Sequence, residues 1–286
     1  MKTVIIILLT SIIIITIGSY IFFNISYSKT KNEFNKKVSQ QIATLNSVND
    51  EFTYEDIDYL PLPVKRYFEY CGYIGTPKMS YMVAKFQDVD FIMSPNKPKL
   101  KIDYTQYNFV NEPNRLAFID TALYGVPFQG IDSYIGGSGN MKGVIAKSFN
   151  LFNQRGQEMD QASLVTVLAE SLVIPNVALQ NYIIWESVDD THVKAKIAYK
   201  GISASGIFTF SKTGEALSFT TKDRAAISTD GIKQKIAWSA VYENYKKSNG
   251  IMQPTVLKAV WHYKSGDVTY FDGRDVKFEY NYNFNM

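Results

Sequence analysis

Residues 3–23, TVIIILLTSIIIITIGSYIFF, form an uncharged apolar run, and no other feature of the 286-residue chain constrains its architecture as tightly. As a helix at ~1.5 Å per residue the run reaches ~30 Å, the thickness of a bilayer's hydrocarbon core. A cleaved signal peptide competes for the same residues, since Met1-Lys2 makes a short basic start. Such signals have apolar cores of about 7–15 residues and end at small side chains, whereas Tyr20, Phe22 and Phe23 stand at this exit. The expectation is a retained transmembrane anchor over residues 1–23, single-pass and N-terminal. Lys29, Lys31, Lys36 and Lys37 follow it and draw that side toward the cytoplasm by charge counting. The head with its one lysine resembles an ordinary export start, and an extracytoplasmic domain in the cell envelope is the expectation adopted. The single cysteine, Cys71, excludes an internal disulfide and leaves the redox compartment open.

The whole chain is 46% hydrophobic and 20% charged with a net charge of +3, ordinary for a folded domain. Its lysines are scattered rather than gathered into a stripe, which argues against a nucleic-acid partner. The unusual counts are 20 Tyr and 18 Phe. Rings of this kind favour strands and pack β cores, and they also line pockets.

Residues 24–50 read as a partly helical linker. Phe34, Val38, Ile42, Leu45 and Val48 recur at helical spacing, so an amphipathic helix is expected over 30–48, either continuing the anchor as a stalk or folding back. Residues 51–286 read as one β-rich soluble domain. In it, Pro63 suits the first turn of a short helix, Val64, Tyr67, Phe68 and Cys71 share its apolar face, and Gly72 suits its end. Cys71 there reads as a core residue rather than a nucleophile.

From Met79 onward alternation with period two prevails. It is clearest where Val276, Phe278, Tyr280, Tyr282 and Phe284 alternate with polar residues, and it recurs at Val193–Tyr199 and Leu257–Tyr263. Turns are expected at Thr213-Gly214, Asp230-Gly231, Asn249-Gly250, Ser265-Gly266 and Asp272-Gly273. About nine to eleven strands follow from this pattern, enough that the sheet must curl or close to protect its edges. One helix interrupts it, over Asp160–Ile174, with Asp160 as cap, Leu164, Val165, Leu168, Ala169 and Leu172 as its apolar face, and Pro175 as its stop. The fold class is mainly β: an N-terminal transmembrane helix, then a curved antiparallel sheet or incomplete β-barrel with a few helices on its concave face.

Catalytic motifs fail on inspection. Gly136-Gly137-Ser138-Gly139-Asn140 lacks the last glycine of a nucleophile elbow and reads as a hairpin. His192 and His262 are the only histidines, each on the polar side of a strand, so no metal site and no cofactor are expected. Asp160 and Glu170 on one helix lie ~15 Å apart, too far for a glycosidase pair, and Asp189-Asp190 reads as a turn. No catalytic residue is assigned.

Several segments together resemble an uncharacterised bacterial family catalogued only as a domain of unknown function. They are Leu60-Pro61-Leu62-Pro63-Val64-Lys65-Arg66-Tyr67-Phe68, Gly156-Gln157-Glu158-Met159-Asp160-Gln161, Leu168-Ala169-Glu170 with Pro175, Trp185 with Val188-Asp189-Asp190, Ser205-Gly206-Ile207-Phe208, Trp238, and Gly273 to Tyr280. The chain departs at Ser94-Pro95-Asn96, where the family pattern has Trp-Xaa-Pro-Phe. The resemblance implies no activity. In shape alone the plan is also similar to periplasmic lipoprotein carriers, half-barrels with helices on the concave face.

The functional expectation is a membrane-tethered module that binds a lipid or other apolar small molecule inside the curved sheet. Arg66, Glu158, Asp160 and Glu170 are its candidate ligand-binding residues at the rim. An envelope enzyme using those carboxylates and a protein interaction scaffold with a solid core are the alternatives.

Overall fold

The computed structural model describes residues 2–45, 50–93, 99–227 and 233–282. Val48, the Ser94-Pro95-Asn96 departure, the Asp230-Gly231 turn and Phe284 lie outside the described residues. Helix α1, Lys2–Asn24, buries none of its side chains and is long and apolar enough to cross a membrane. Within its apolar run the Thr10 and Thr16 hydroxyls are paired, donating to the carbonyls of Ile6 and Ile12 at 2.9 and 2.8 Å.

After a short bend, Ser28 caps α2, Lys29–Ile42, by accepting from the Lys31 amide. This helix is no stalk. Phe34 and Val38 are buried against Phe109, Leu116, Phe118 and Ile131 of the sheet described below. Polar contacts fix its length along that face. Ser28 donates to Gln129 near its start, Lys142 pairs with Glu33 at 2.8 Å, and Asn114 Nδ2 donates to Gln41 Oε1 at 2.6 Å near its end.

Two further helices precede the strands. The short α3, Tyr54–Ile57, is held by a reciprocal cap between Thr53 and Asp56. In α4, Leu62–Cys71, Pro63 sits in the first turn and Gly72 ends the helix in the left-handed conformation, φ 75°, as the spacing predicts. Val64, Tyr67, Phe68 and Cys71 on its inner face are fully buried, and burial pushes the Cys71 thiol up.

The strands are β1 (Met79–Phe91), β2 (Leu100–Phe109), β3 (Arg115–Leu123), β4 (Val126–Ile135), β5 (Ser138–Ile145) and β6 (Phe149–Arg155). Helices α5 (Gln157–Glu170) and α6 (Pro175–Ala178) follow, then β7 (Ile183–Ser187), β8 (His192–Tyr199), β9 (Ile202–Phe210) and β10 (Ala216–Thr221). A small separate ribbon, β11 (Ala225–Ile227) with β12 (Lys233–Lys235), leads to β13 (Ala237–Ser248), β14 (Ile251–Tyr263), β15 (Gly266–Arg274) and β16 (Lys277–Tyr282). Among the described residues, one antiparallel sheet of 14 strands has the order β6-β5-β4-β3-β2-β1-β15-β14-β13-β10-β9-β8-β7, with β16 also alongside β1. It is two meanders joined where β1 meets β15 and β16, and it is not closed into a barrel.

Accumulated twist brings the two limbs together. A Cβ on Gly137, in the β4–β5 turn, would stand 2.8 Å from the Lys200 Cβ in the β8–β9 turn, and the rings of Tyr134 and Tyr199 lie 6.5 Å apart. Helix α5 fills the space between. On one side Gly139 N donates to Asp160 Oδ1 at 2.6 Å, and on the other Gln161 Nε2 donates to Ser203 O at 2.8 Å. Its Leu164, Val165, Leu168 and Ala169 are buried in the main core.

Three expectations change. The helix runs Gln157–Glu170, after Gly156, rather than Asp160–Ile174, and Asp160 lies inside its first turn and serves the β5 backbone instead of capping. The sheet has 14 strands rather than nine to eleven, and β3 and β4, covered on both faces by α2 and by the main core, lack the alternation that marks β8. Asp272-Gly273 is no turn but part of β15; a Cβ on Gly273 would meet the Phe86 ring at 2.6 Å, so close packing rather than a bend requires glycine.

Candidate functional site

At the C-terminal end of α5 the concave face carries a polar ring where the surrounding pattern is apolar. In antiparallel pairing Asn108 lies opposite Arg115, and Arg115 opposite Tyr134, which puts these side chains on the face toward α5. Arg115 is nearly inaccessible, its side chain 5% exposed. Its Nε donates to Glu170 Oε2 at 2.9 Å, Nη1 to Asp132 Oδ2 at 2.7 Å, and Nη2 to Gln106 Oε1 at 2.9 Å and to the Tyr104 hydroxyl. Gln106 Nε2 then donates to Asn108 Oδ1 at 2.6 Å, and Asn108 Nδ2 to Glu170 Oε2 at 2.8 Å, closing the ring. Burial opposes the guanidinium's charge, but the Glu170, Tyr104 and Asp132 groups around it hold Arg115 protonated well above its ordinary range. A fork donating to two carboxylates at once fixes the helix end to β2, β3 and β4.

The four residues expected at the rim do not converge. Glu170 belongs to the ring. Asp160 is a helix length away, bound to the Gly139 amide. Glu158 lines an open cleft of about 280 Å³ with Gln157, Gln161, Lys222, Asp223, Arg224 and Lys235. Arg66 lies half-buried on α4, its backbone carbonyl packed against Gly214 of the β9–β10 turn. Arg115, Asp132, Tyr104, Gln106 and Asn108 were not singled out by the sequence. One signal for them was present: Tyr104, Gln106 and Asn108 recur with period two, marking one face of a strand as polar.

A larger open cleft, about 530 Å³, is lined by Asp50, Thr53, Glu55, Asp56, Tyr59, Lys78 and Leu179. Lys78 bridges Asp50 and Asp56 at 2.5 and 2.8 Å and so offsets part of the cleft's negative charge. Among the described residues no group of three or more His, Cys, Asp or Glu side chains could hold a metal ion.

One constellation on the outer face mimics a hydrolase. Ser239 Oγ lies 2.8 Å from His262 Nε2, and His262 Nδ1 lies 2.8 Å from Asp267 Oδ1. The order of atoms is that of a serine triad, yet two requirements are missing. Ser239 is 4% exposed and shares its hydroxyl with Thr220 at 2.8 Å. Both edges of β13 are paired at Trp238–Ala240, so its amides serve the sheet and cannot form an oxyanion hole. A fluorophosphonate probe is accordingly expected to leave Ser239 unlabelled, which peptide mass spectrometry after incubation would check.

The family model described as "Family of unknown function (DUF6544)" matches residues 50–273, most of the chain. The chain belongs to this family. The DUF6544 match contains α5 and every member of the Arg115 ring, whereas α1 and α2 lie outside it. No curated protein matches. Among solved structures, the LolA superfamily protein NE2245 from Nitrosomonas europaea is similar at 16% identity with a TM-score of 0.40, over 75% of this chain and 92% of that one.

Proposed function

We propose that this protein is a single-pass membrane protein whose domain, outside the cytoplasm, holds a lipid or other apolar molecule between the sheet and α5. The observation that carries this reading is the position of α5, an apolar helix lodged between two limbs of a sheet that hydrogen bonds do not close. The helix is fastened near its ends through Asp160 and Glu170 and on its cleft side by Arg224, which donates to Thr166 Oγ1 at 2.7 Å, while its inner face at Leu164, Val165 and Leu168 is held by apolar packing. An acyl chain competes for that surface on equal terms, since both gain about 25 cal/mol per Å² of apolar area removed from water. Glu158, beside Lys222, Asp223, Arg224 and Lys235 at the open cleft, belongs to a charged margin suited to orienting a headgroup, with Asp160 further along α5. Arg66 and Glu170 are the more distant candidates for that role.

The test is native mass spectrometry of the full-length protein extracted in mild detergent, paired with titration of a fluorescent phospholipid. A co-purifying lipid mass and saturable binding are expected. Absence of both would leave the solid-core scaffold as the better account.

A further inference from the structure

The β5–β6 turn is unusual in backbone and in contact. Its two central residues, Ala146 and Lys147, both have positive φ, 50° and 58°, and Ser148 N closes the turn on Ile145 O at 3.2 Å. Glycine or asparagine normally occupies such positions, so the chain accepts strain to place Lys147. The Lys147 side chain is put to a specific use: Nζ donates to Ile25 O at 2.6 Å and to Phe22 O at 3.2 Å, and it lies 5.9 Å from the centre of the Phe22 ring. Phe22 is in the last turn of α1 and Ile25 just beyond it, where helix carbonyls lack intrahelical partners and favour a cation. A residue of the domain thus caps the membrane-spanning helix.

Large apolar side chains surround this point. Ala146 N donates to Pro127 O at 2.8 Å, which sets the neighbouring β3–β4 turn alongside. At its tip Tyr124 is 99% exposed. Phe149 and Leu151 on the free edge strand β6 are 68% and 53% exposed, and Ile25 and Tyr27 at the exit of α1 are exposed as well. Lys29 and Lys31 in the first turn of α2 are also exposed. Helix α2 leads away from this end, from Gln129 toward Asn114.

We propose that Tyr124, Phe149 and Leu151, with Ile25 and Tyr27, form a rim that docks into the headgroup region of the bilayer that α1 enters. Lys147 sets the angle at which the domain meets its anchor. The occupant is the bilayer rather than a protein because the rim is continuous with the end of the membrane-spanning helix, so lipid already surrounds that end. Aromatic and aliphatic side chains next to lysines are the composition that interfacial lipid favours. The inference rests on α1 spanning the membrane and is independent of the ligand inside the sheet.

The experiment uses the full chain in vesicles of phosphatidylcholine and phosphatidylglycerol. The environment-sensitive fluorophore nitrobenzoxadiazole is placed on single cysteines at Tyr124→Cys, Phe149→Cys, Asn111→Cys or Ile14→Cys. Cys71 is fully buried, and the unsubstituted chain controls for its labelling. Asn111 precedes β3 at the end opposite Tyr124, and β3 alone is 9 residues long, on the order of 30 Å at the usual rise per strand residue. Labels at Tyr124 and Phe149 should be blue-shifted and quenched by lipids spin-labelled near the headgroup, the label at Ile14 by lipids spin-labelled deep in the chain, and the label at Asn111 by neither. Lys147→Met should abolish the shallow quenching while the Ile14 signal stays. Shallow quenching at Tyr124 and Phe149 no greater than at Asn111, with Ile14 still deep, would overturn the docking rim alone. Loss of the Ile14 signal would overturn the anchor and the rim with it. Shallow quenching that survives Lys147→Met would overturn the role given to Lys147.

Discussion

Arg115→Met is expected to lower the unfolding free energy by about 3 kcal/mol or more, because removing one partner of a buried ionic group leaves the other uncompensated. Glu170 and Asp132 lose their common cation, and Tyr104 and Gln106 lose a donor to which they are both bound. The removed side chain is 5% exposed and its two carboxylate partners 17% and 25%, so water can compensate only in part. Urea unfolding of the detergent-solubilised protein, followed by tryptophan fluorescence, measures the effect. Adding Glu170→Gln and Asp132→Asn should recover much of the loss, since the cost lies in stranded charge rather than in missing volume. If Arg115→Met alone falls within about 0.5 kcal/mol of the parent, as surface substitutions do, the ring does not fasten α5.

Leu168→Ala is the second large effect, about 2–5 kcal/mol by analogy with other buried leucine truncations. Leu168 is fully buried between the helix and the sheet, in the same core as Val193, Ala195 and Phe208. The truncation opens space under the inner face of α5 near its last turn, on the apolar surface for which the proposed ligand competes. Under that proposal the variant should carry more co-purified lipid than the parent while unfolding at lower urea. Ile184→Ala is the matched control, because Ile184 is 56% exposed on β7 and its loss should be close to neutral. Equal lipid content in parent and Leu168→Ala, with stability reduced as expected, would favour a closed structural core.

What the sequence made legible follows from whether one face of an element stays wet. Strand β8 reads plainly because Val193, Ala195 and Ile197 are buried while Lys194 and Lys196 face solvent. The C-terminal strand and α4 read well for the same reason. Strand β3 does not, since Arg115 through Ile119 are all buried between α2 and the main core. Glycine carried two meanings that local sequence cannot separate: a left-handed turn at Gly250, φ 87°, and a close approach of rings at Gly273.

The candidate site was half visible. Glu170 drew attention as a carboxylate near the end of an apolar helix, and it is the anchor point of that helix. Its partner Arg115 is separated from it by 55 positions and by three hairpins, so no local spacing announces the pair. Asp132 and Asn108 join them only through sheet register, which is set by pairing over the whole limb. The four carboxylate and guanidinium groups expected at one rim are spread over α4 and both ends of α5, because helix rise separates Asp160 from Glu170 and α4 packs elsewhere.

The seam between the two meanders sets an order of events during synthesis. Strand β1 offers one edge to β2, made soon after it, and the other to β15 and β16, residues 266–282. Until those residues have left the ribosome, that second edge has no native occupant, while the apolar N-terminal segment is already available to the insertion machinery. A growing chain therefore spends most of its translation time with a bare strand exposed, the state in which edge-to-edge association is most dangerous. Chaperone dependence in this protein should concentrate in that interval, and closing the seam is the step that ends it.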